Sequence, residues 1–168
     1  LGRDYYQKEN EANTKTLNEY KNYVAQLFTV LGDSKADQTA QRVVAFEKRL
    51  ANDLLTNEQN RDANLRYNPK TVAELPALVK NVDLKGYLSS VGVKTDKVIV
   101  GELKYYQNMD SWMNERTLPL LKEYMKARMI AGNASNLDKK LDDLNFNFYS
   151  IYLQGQKEQR SMDKRGLG

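Results

Sequence analysis

The sequence predicts an all-α fold: an irregular multi-helix domain with long helical hairpins and at most a very short extended segment. Three observations predict it. Apolar residues recur at spacings of three and four along most of the 168 residues. Capping residues and glycines stand where helices would start and stop. The one β-like run, Val98-Ile99-Val100, is too short for a sheet and makes a connector or an edge.

In chain order, Thr14 is the expected N-cap of a first long helix. Leu17, Tyr20, Val24, Leu27, Phe28 and Leu31 line one face, and Gly32 follows as a stop. A second helix from Asp33 or Ser34 presents Ala36, Ala40, Val43, Phe46, Leu50 and Leu54, and the short turn between them predicts an antiparallel hairpin. The stretch 56–70 breaks the pattern and ends in Asn68-Pro69, a turn signal because proline disfavours helix at the residue before it. Thr71-Val72-Ala73-Glu74 reads as a capping box, and Pro76 keeps the next helix short or kinks it. Asp83 caps another short helix with Leu84, Tyr87, Leu88 and Val91 inward, closed by Gly92.

Helices resume at Gly101 with Leu103, Tyr106, Met109 or Asp110, and Met113 on one side and Trp112 adjoining. Thr117 is the expected cap of the next helix, with Pro119 in its first turn and Leu121, Tyr124, Met125 and Met129 on its buried side. A last helix from Ser135 or Asn136 carries Leu137, Leu141, Leu144, Phe148 and Ile151 and ends before Gly155. The count is six or seven helices in one domain, residues 1–168, with no internal repeat.

Composition narrows the chemistry. The chain has no histidine and no cysteine, so the commonest general base and the usual zinc ligands are missing. No stretch approaches the roughly 20 apolar residues of a membrane-spanning helix, and Leu1-Gly2-Arg3-Asp4 has no signal-peptide pattern. The first residue is not methionine, so the chain is expected to be a piece of a longer precursor. The net charge of +4 comes from basic residues scattered among acids, apart from a loose cluster at Lys157, Arg160, Lys164 and Arg165. A nucleic-acid binder concentrates its basic residues on one face, so no nucleic-acid partner is expected.

Two polar signatures remain: Arg3-Asp4-Tyr5-Tyr6, and Arg61-Asp62 with Tyr67-Asn68. Most of the eleven tyrosines fit helix core positions. Tyr5 and Tyr6 precede the first clear helix and are better placed to dock against something outside the domain. Arg61, Asp62, Tyr67 and Asn68 lie in a loop-rich stretch, where arginine can grip a carboxylate with two parallel bonds. Loop bracing or contact with a neighbouring domain is the favoured role, and contact with substrate is the other. The acidic pair Asp142-Asp143 makes no metal site, since adjacent helix residues point about 100° apart. Asn133-Ala134-Ser135 matches a glycosylation sequon, a weak three-residue signal.

These motifs, taken in order, resemble the neprilysin family of zinc metalloendopeptidases, which includes bacterial oligopeptidases of the PepO type. Arg3-Asp4-Tyr5-Tyr6 is similar to the family's "RDYY" segment. Arg61-Asp62 and then Tyr67-Asn68-Pro69-Lys70-Thr71-Val72-Ala73-Glu74-Leu75 look like its "RD…YNPMTxAEL" stretch, with Lys70 replacing the usual methionine. Val98-Ile99-Val100 resembles the connector before a helix, and residues 146–155 resemble "FxFYxxxLxG". Lys164-Arg165 matches the end of the basic motif that follows, although Ser161-Met162-Asp163 stands where the family commonly has Pro-Arg-Trp.

The resemblance covers essentially the whole chain and implies a specific part of a two-lobed enzyme. In that family a thermolysin-like lobe carries the zinc on an HExxH helix, and a mostly helical lobe caps the chamber and limits access to peptides. This chain resembles the helical capping (lid) lobe, without catalytic or metal residues of its own; zinc belongs to the full-length parent. The implied partners are the catalytic lobe of the same chain and peptide substrates. Arg3, Asp4, Tyr5, Tyr6, Arg61, Asp62, Tyr67 and Asn68 become candidate inter-lobe or substrate-chamber contacts. The implied location is extracytoplasmic, periplasmic or cell-surface in a bacterium, with the cytoplasm still open. The alternative is a stand-alone helical protein–protein interaction module without enzymatic activity.

Overall fold

The computed structural model describes residues 1–159. Arg160, Lys164 and Arg165 of the basic cluster, and the tail motif around Ser161-Met162-Asp163, lie outside the described residues. The described chain is mostly helical, with nine α-helices and one two-stranded ribbon. The surplus over six or seven comes from one-turn helices too short to show a periodicity. The chain divides into two compact units: Leu1–Glu9 with Ala45–Lys122, and Asn10–Val44 with the residues from Glu123 onward.

The first unit opens with α1 (Arg3–Gln7), so the RDYY segment is itself a turn of helix rather than a lead-in. It continues through the C-terminal part of α3 (Ala36–Ala51), a 3-10 turn at Gln59–Arg61 and α4 (Ala63–Arg66). Strand β1 (Pro69–Thr71) follows and pairs antiparallel with β2 (Lys97–Ile99), Pro69 opposite Ile99 and Thr71 opposite Lys97. The extended run near Val98 is therefore a ribbon strand, shifted one residue toward the N-terminus. Its partner was hidden because Asn68-Pro69 reads as a turn; proline is tolerated at the first residue of an edge strand. Between the strands lie α5 (Leu75–Leu78) and α6 (Leu84–Ser90).

Local chemistry fixes these elements. The Glu74 carboxylate accepts from the Thr71 amide at 2.7 Å and the Thr71 hydroxyl at 2.8 Å, the reciprocal half of the expected capping box. Asp83 caps α6 by accepting from the Gly86 amide at 2.8 Å, and Gly92 closes it at φ 78°. Tyr87 and Val91, expected inward, are exposed; a seven-residue helix buries only a narrow side, here the half-buried Leu84 and Leu88. The helix α7 (Leu103–Gln107) leads to Trp112, whose ring packs edge-on to Phe46 with centroids 6.0 Å apart and lies 5.2 Å from Tyr105. Asp110 draws in the amides of Lys80 and Asn81 at 2.9–3.1 Å. These two backbone bonds hold its carboxyl below the ordinary value.

The second unit is built on α2 (Glu11–Val30). Its N-cap is Asn10, accepting from the Asn13 amide at 2.8 Å, and not Thr14, which lies inside the first turn. Polar residues between Glu11 and Thr14 conceal that extra turn from the apolar spacing. Gly32 closes the helix at φ 81°, the left-handed conformation that glycine adopts without steric cost. The Asp33 carboxylate then accepts from the Lys35 amide and the Thr39 hydroxyl, setting the start of α3. Val24, Leu27, Phe28, Ala40 and Val43 are buried at the expected spacing.

The last helices depart further from expectation. Asn114, not Thr117, caps the 3-10 turn Glu115–Thr117 that leads into α8 (Leu118–Asn133). Met125 and Met129 are 55% and 63% exposed, while Ala127 is buried instead. The inward face of α8 is carried by a small residue that apolar spacing ranks below methionine. The final helix begins at Asp138, which caps α9 (Lys139–Asn145), after a 3-10 turn at Ala134–Asn136. It widens into a π-helical segment, Phe146–Tyr152, with Leu153 donating to the Phe148 carbonyl five residues back. That extra residue per turn rotates Ile151 out of the ladder and leaves it exposed, while Leu141 and Phe148 stay buried. Phe148 stacks on Tyr23 at 5.2 Å. Burial and the neighbouring Tyr149 push the Tyr23 phenol above its ordinary value, and its hydroxyl bonds Asn145 at 3.0 Å. This is a core group, not an acid or base.

Candidate functional site

The eight residues singled out by the sequence all fall in the first unit, where they play two different parts. The first part is internal bracing. Arg3 donates Nε to the Leu54 carbonyl at 2.9 Å, and Asp4 receives Lys8 at 2.9 Å and the Asn57 amide at 3.3 Å. Tyr6 is 5% exposed and donates its hydroxyl to the Glu47 carboxylate at 2.7 Å, with Glu47 8% exposed. A hydrogen bond to a charged acceptor in a buried setting contributes about 1.5–3 kcal/mol. Tyr6 therefore holds α1 onto α3 and is turned away from any external partner; Tyr5 is half-buried.

Asn68 is also a brace. Its side-chain amide donates to the Leu65 carbonyl at 2.8 Å and the Val100 carbonyl at 3.0 Å, and its own carbonyl accepts from the Val100 amide at 2.9 Å. One side chain thus closes the turn before β1 and fastens it beside β2. Asp62 caps α4 through the Asn64 amide at 2.8 Å.

The second part faces outward. Arg61 and Tyr67 line an open cleft of about 640 Å3 together with Arg66, Asn64, Ile99 and Gly101. Tyr67 is 62% exposed and Ile99 59%. Neither the Arg61 nor the Arg66 side chain has a hydrogen-bond or ion-pair partner among the described residues, and no acidic residue is among those lining the cleft. Arg3, Arg42 and Arg49, by contrast, are engaged with protein groups. The sequence marks neither Arg66 nor Ile99 as a site residue. Arg66 sits in a one-turn helix without a motif, and Ile99 joins the cleft only through the pairing of β2 with β1. The lining contains none of the residues 3–6.

Zinc chemistry finds no support in these side chains. Among the described residues no group of three or more aspartates, glutamates, histidines or cysteines could hold a metal ion. The described residues do not fit a zinc centre.

The class is fixed by comparison with known families: the model of peptidase family M13 matches residues 1–168. The chain belongs to that family and represents its N-terminal region. Among its relatives, endothelin-converting enzyme 1 of Rattus norvegicus is 29% identical over 157 residues, 89% of this chain and 20% of that protein. Neutral endopeptidase of Lactococcus lactis subsp. cremoris is 28% identical over 165 residues, 97% of this chain and 26% of that protein. In structure, the chain is similar to Mycobacterium tuberculosis zinc metalloprotease Zmp1 in complex with inhibitor, with TM-score 0.89 and 26% identity over 99% of this chain and 26% of that one. Zmp1 in its open state gives a TM-score of 0.88 with 25% identity. The chain thus spans about a fifth to a quarter of the length of the relatives it matches.

Proposed function

We propose that this chain is the non-catalytic helical lobe of a zinc-dependent endopeptidase or oligopeptidase, covering the active-site chamber and restricting substrate size. The observation that carries the reading is the family match across residues 1–168, in a chain without histidine or cysteine. Zinc and the reacting groups then belong to the rest of the parent. Closure of a rigid helical cap excludes water and bulky substrates and can limit turnover. Zmp1 has been described in open and partial open states, which fits a cap that moves.

In this reading Arg61 and Tyr67 are the outward contacts of the lobe, toward the chamber or the catalytic lobe. Arg3, Asp4, Tyr5, Tyr6, Asp62 and Asn68 support that surface from behind or beside it. Peptides are the substrates, and the parent works in the periplasm or at the cell surface. A stand-alone interaction module is the weaker reading, because relatives that align along nearly this whole chain are several times longer.

Alanine at Arg61 and Tyr67 in the full-length parent tests the assignment. Turnover, or the ratio of long-peptide to short-peptide cleavage, changes while zinc content stays at the wild-type level. Unchanged kinetics on every peptide length would remove these residues from the cap surface.

A further inference from the structure

The cleft beside the ribbon has features that the capping role alone does not require. Two guanidinium groups, Arg61 and Arg66, stand unpaired at one concavity with no acid in its lining. Arginine binds carboxylates through a planar fork of N–H donors, and two such forks at one site give an anion several donors. The volume of about 640 Å3 lies within the roughly 300–1,000 Å3 usual for small-ligand pockets. The exposed Tyr67 ring and Ile99 side chain add an apolar surface next to the charges.

The ribbon extends this surface. Side chains alternate along a strand, so Lys97 shares the face of Ile99 while Val98 turns the other way. The burial follows: Lys97 and Ile99 are exposed, and Val98 is half-buried. Lys97 likewise has no side-chain partner among the described residues. Of the acids adjacent in sequence, Asp62 beside Arg61 is occupied in capping α4, and Asp96 beside Lys97 is not among the residues lining the cleft. Arg61, Arg66, Tyr67 and Ile99 line the cleft, and Lys97 lies outside that lining on the Ile99 face of β2.

We propose that this cleft is a binding site for acidic peptides, taking a Glu or Asp carboxylate on Arg61 and Arg66 and an adjacent apolar residue against Tyr67 and Ile99. The inference deepens the reading of Arg61 and Tyr67 as chamber contacts: the lobe selects substrates by charge as well as by size. A substrate held there is concentrated near the chamber before cleavage, with strong dependence on salt because the cations are exposed.

The test is equilibrium binding of two fluorescent peptides to the full-length parent, kept from cleavage by a chelator. One peptide carries glutamates around a single phenylalanine; the other is its glutamine counterpart. The acidic peptide should bind at least about tenfold more tightly at low salt, close to two good exposed charge contacts. That preference disappears in the Arg61→Gln, Arg66→Gln double variant and is reversed toward the glutamine peptide by Arg61→Glu with Arg66→Glu. Equal affinity for the acidic and glutamine peptides, or an acidic preference that survives the double variant, would overturn the proposal. Cleavage of a short neutral peptide by the unsubstituted, metal-loaded parent reports the peptidase role separately from the charge preference read in the variants.

Discussion

The Tyr6 hydroxyl and the Glu47 carboxylate meet at 2.7 Å inside the first unit, 41 residues apart in sequence. This contact turns the RDYY motif from a surface signature into a packing device. Tyr6→Phe removes the donor and leaves the carboxylate short of one partner. The expected loss is about 1.5–3 kcal/mol, read as a lowered urea midpoint with an unchanged slope. A midpoint equal to wild type would mean that the bond contributes nothing to stability.

Asn68 joins the Leu65 and Val100 carbonyls through one amide. Asn68→Ala should cost about 0.5–1.5 kcal/mol, because an exposed acceptor at Leu65 and a part-buried one at Val100 lose their donor. Asn68→Asp should be worse, since a carboxylate cannot donate and faces two carbonyl oxygens. Proteolysis within 61–68 should accelerate in both variants, more in the second. The same order by thermal unfolding would check it.

Gly32 adopts φ 81° with open space where a Cβ would stand. Gly32→Ala therefore meets no clash with neighbours, only the backbone cost of the left-handed region, about 1–2 kcal/mol. Gly32→Asn should lose less, because asparagine tolerates that conformation. Thermal denaturation of both variants distinguishes a conformational cost from a packing one.

Acid should destabilise the fold in a defined window. Asp110, Glu74 and Asp33 all have carboxyls held below their ordinary values, chiefly by hydrogen bonds from the Asn81 amide, the Thr71 amide and the Thr39 hydroxyl respectively. A lowered folded-state value means that the stabilisation is fully present above the unfolded values of 3.8 for aspartate and 4.5 for glutamate. It is lost as pH falls through the folded values. Stability should be flat in these groups from neutral pH to about pH 5 and fall below that, and Asp110→Asn should make the acid limb shallower.

The long helices were legible because their burial follows one face. The apolar positions of α2 and α3, the Gly32 stop and the Thr71–Glu74 and Asp83 caps all rest on contacts within a few residues. What was hidden depends on distant partners: the pairing of Pro69 with Ile99, the Tyr6–Glu47 bond, and the burial of Ala127 in place of Met125 and Met129. The site divides in the same way. Arg61 and Tyr67 could be singled out by motif, whereas Arg66 and Ile99 reach the cleft only through the fold. Asn68 could be named by its motif but its work could not, since its second acceptor, Val100, lies 32 residues away.

The most direct measurement is peptidase activity of the full-length parent on matched short and long peptides, with and without a zinc chelator. Cleavage should be abolished by the chelator and should fall away as the peptide lengthens toward a folded protein. Chelator-insensitive cleavage, no cleavage by a folded and zinc-loaded parent, or equal cleavage of folded proteins would contradict the proposed function.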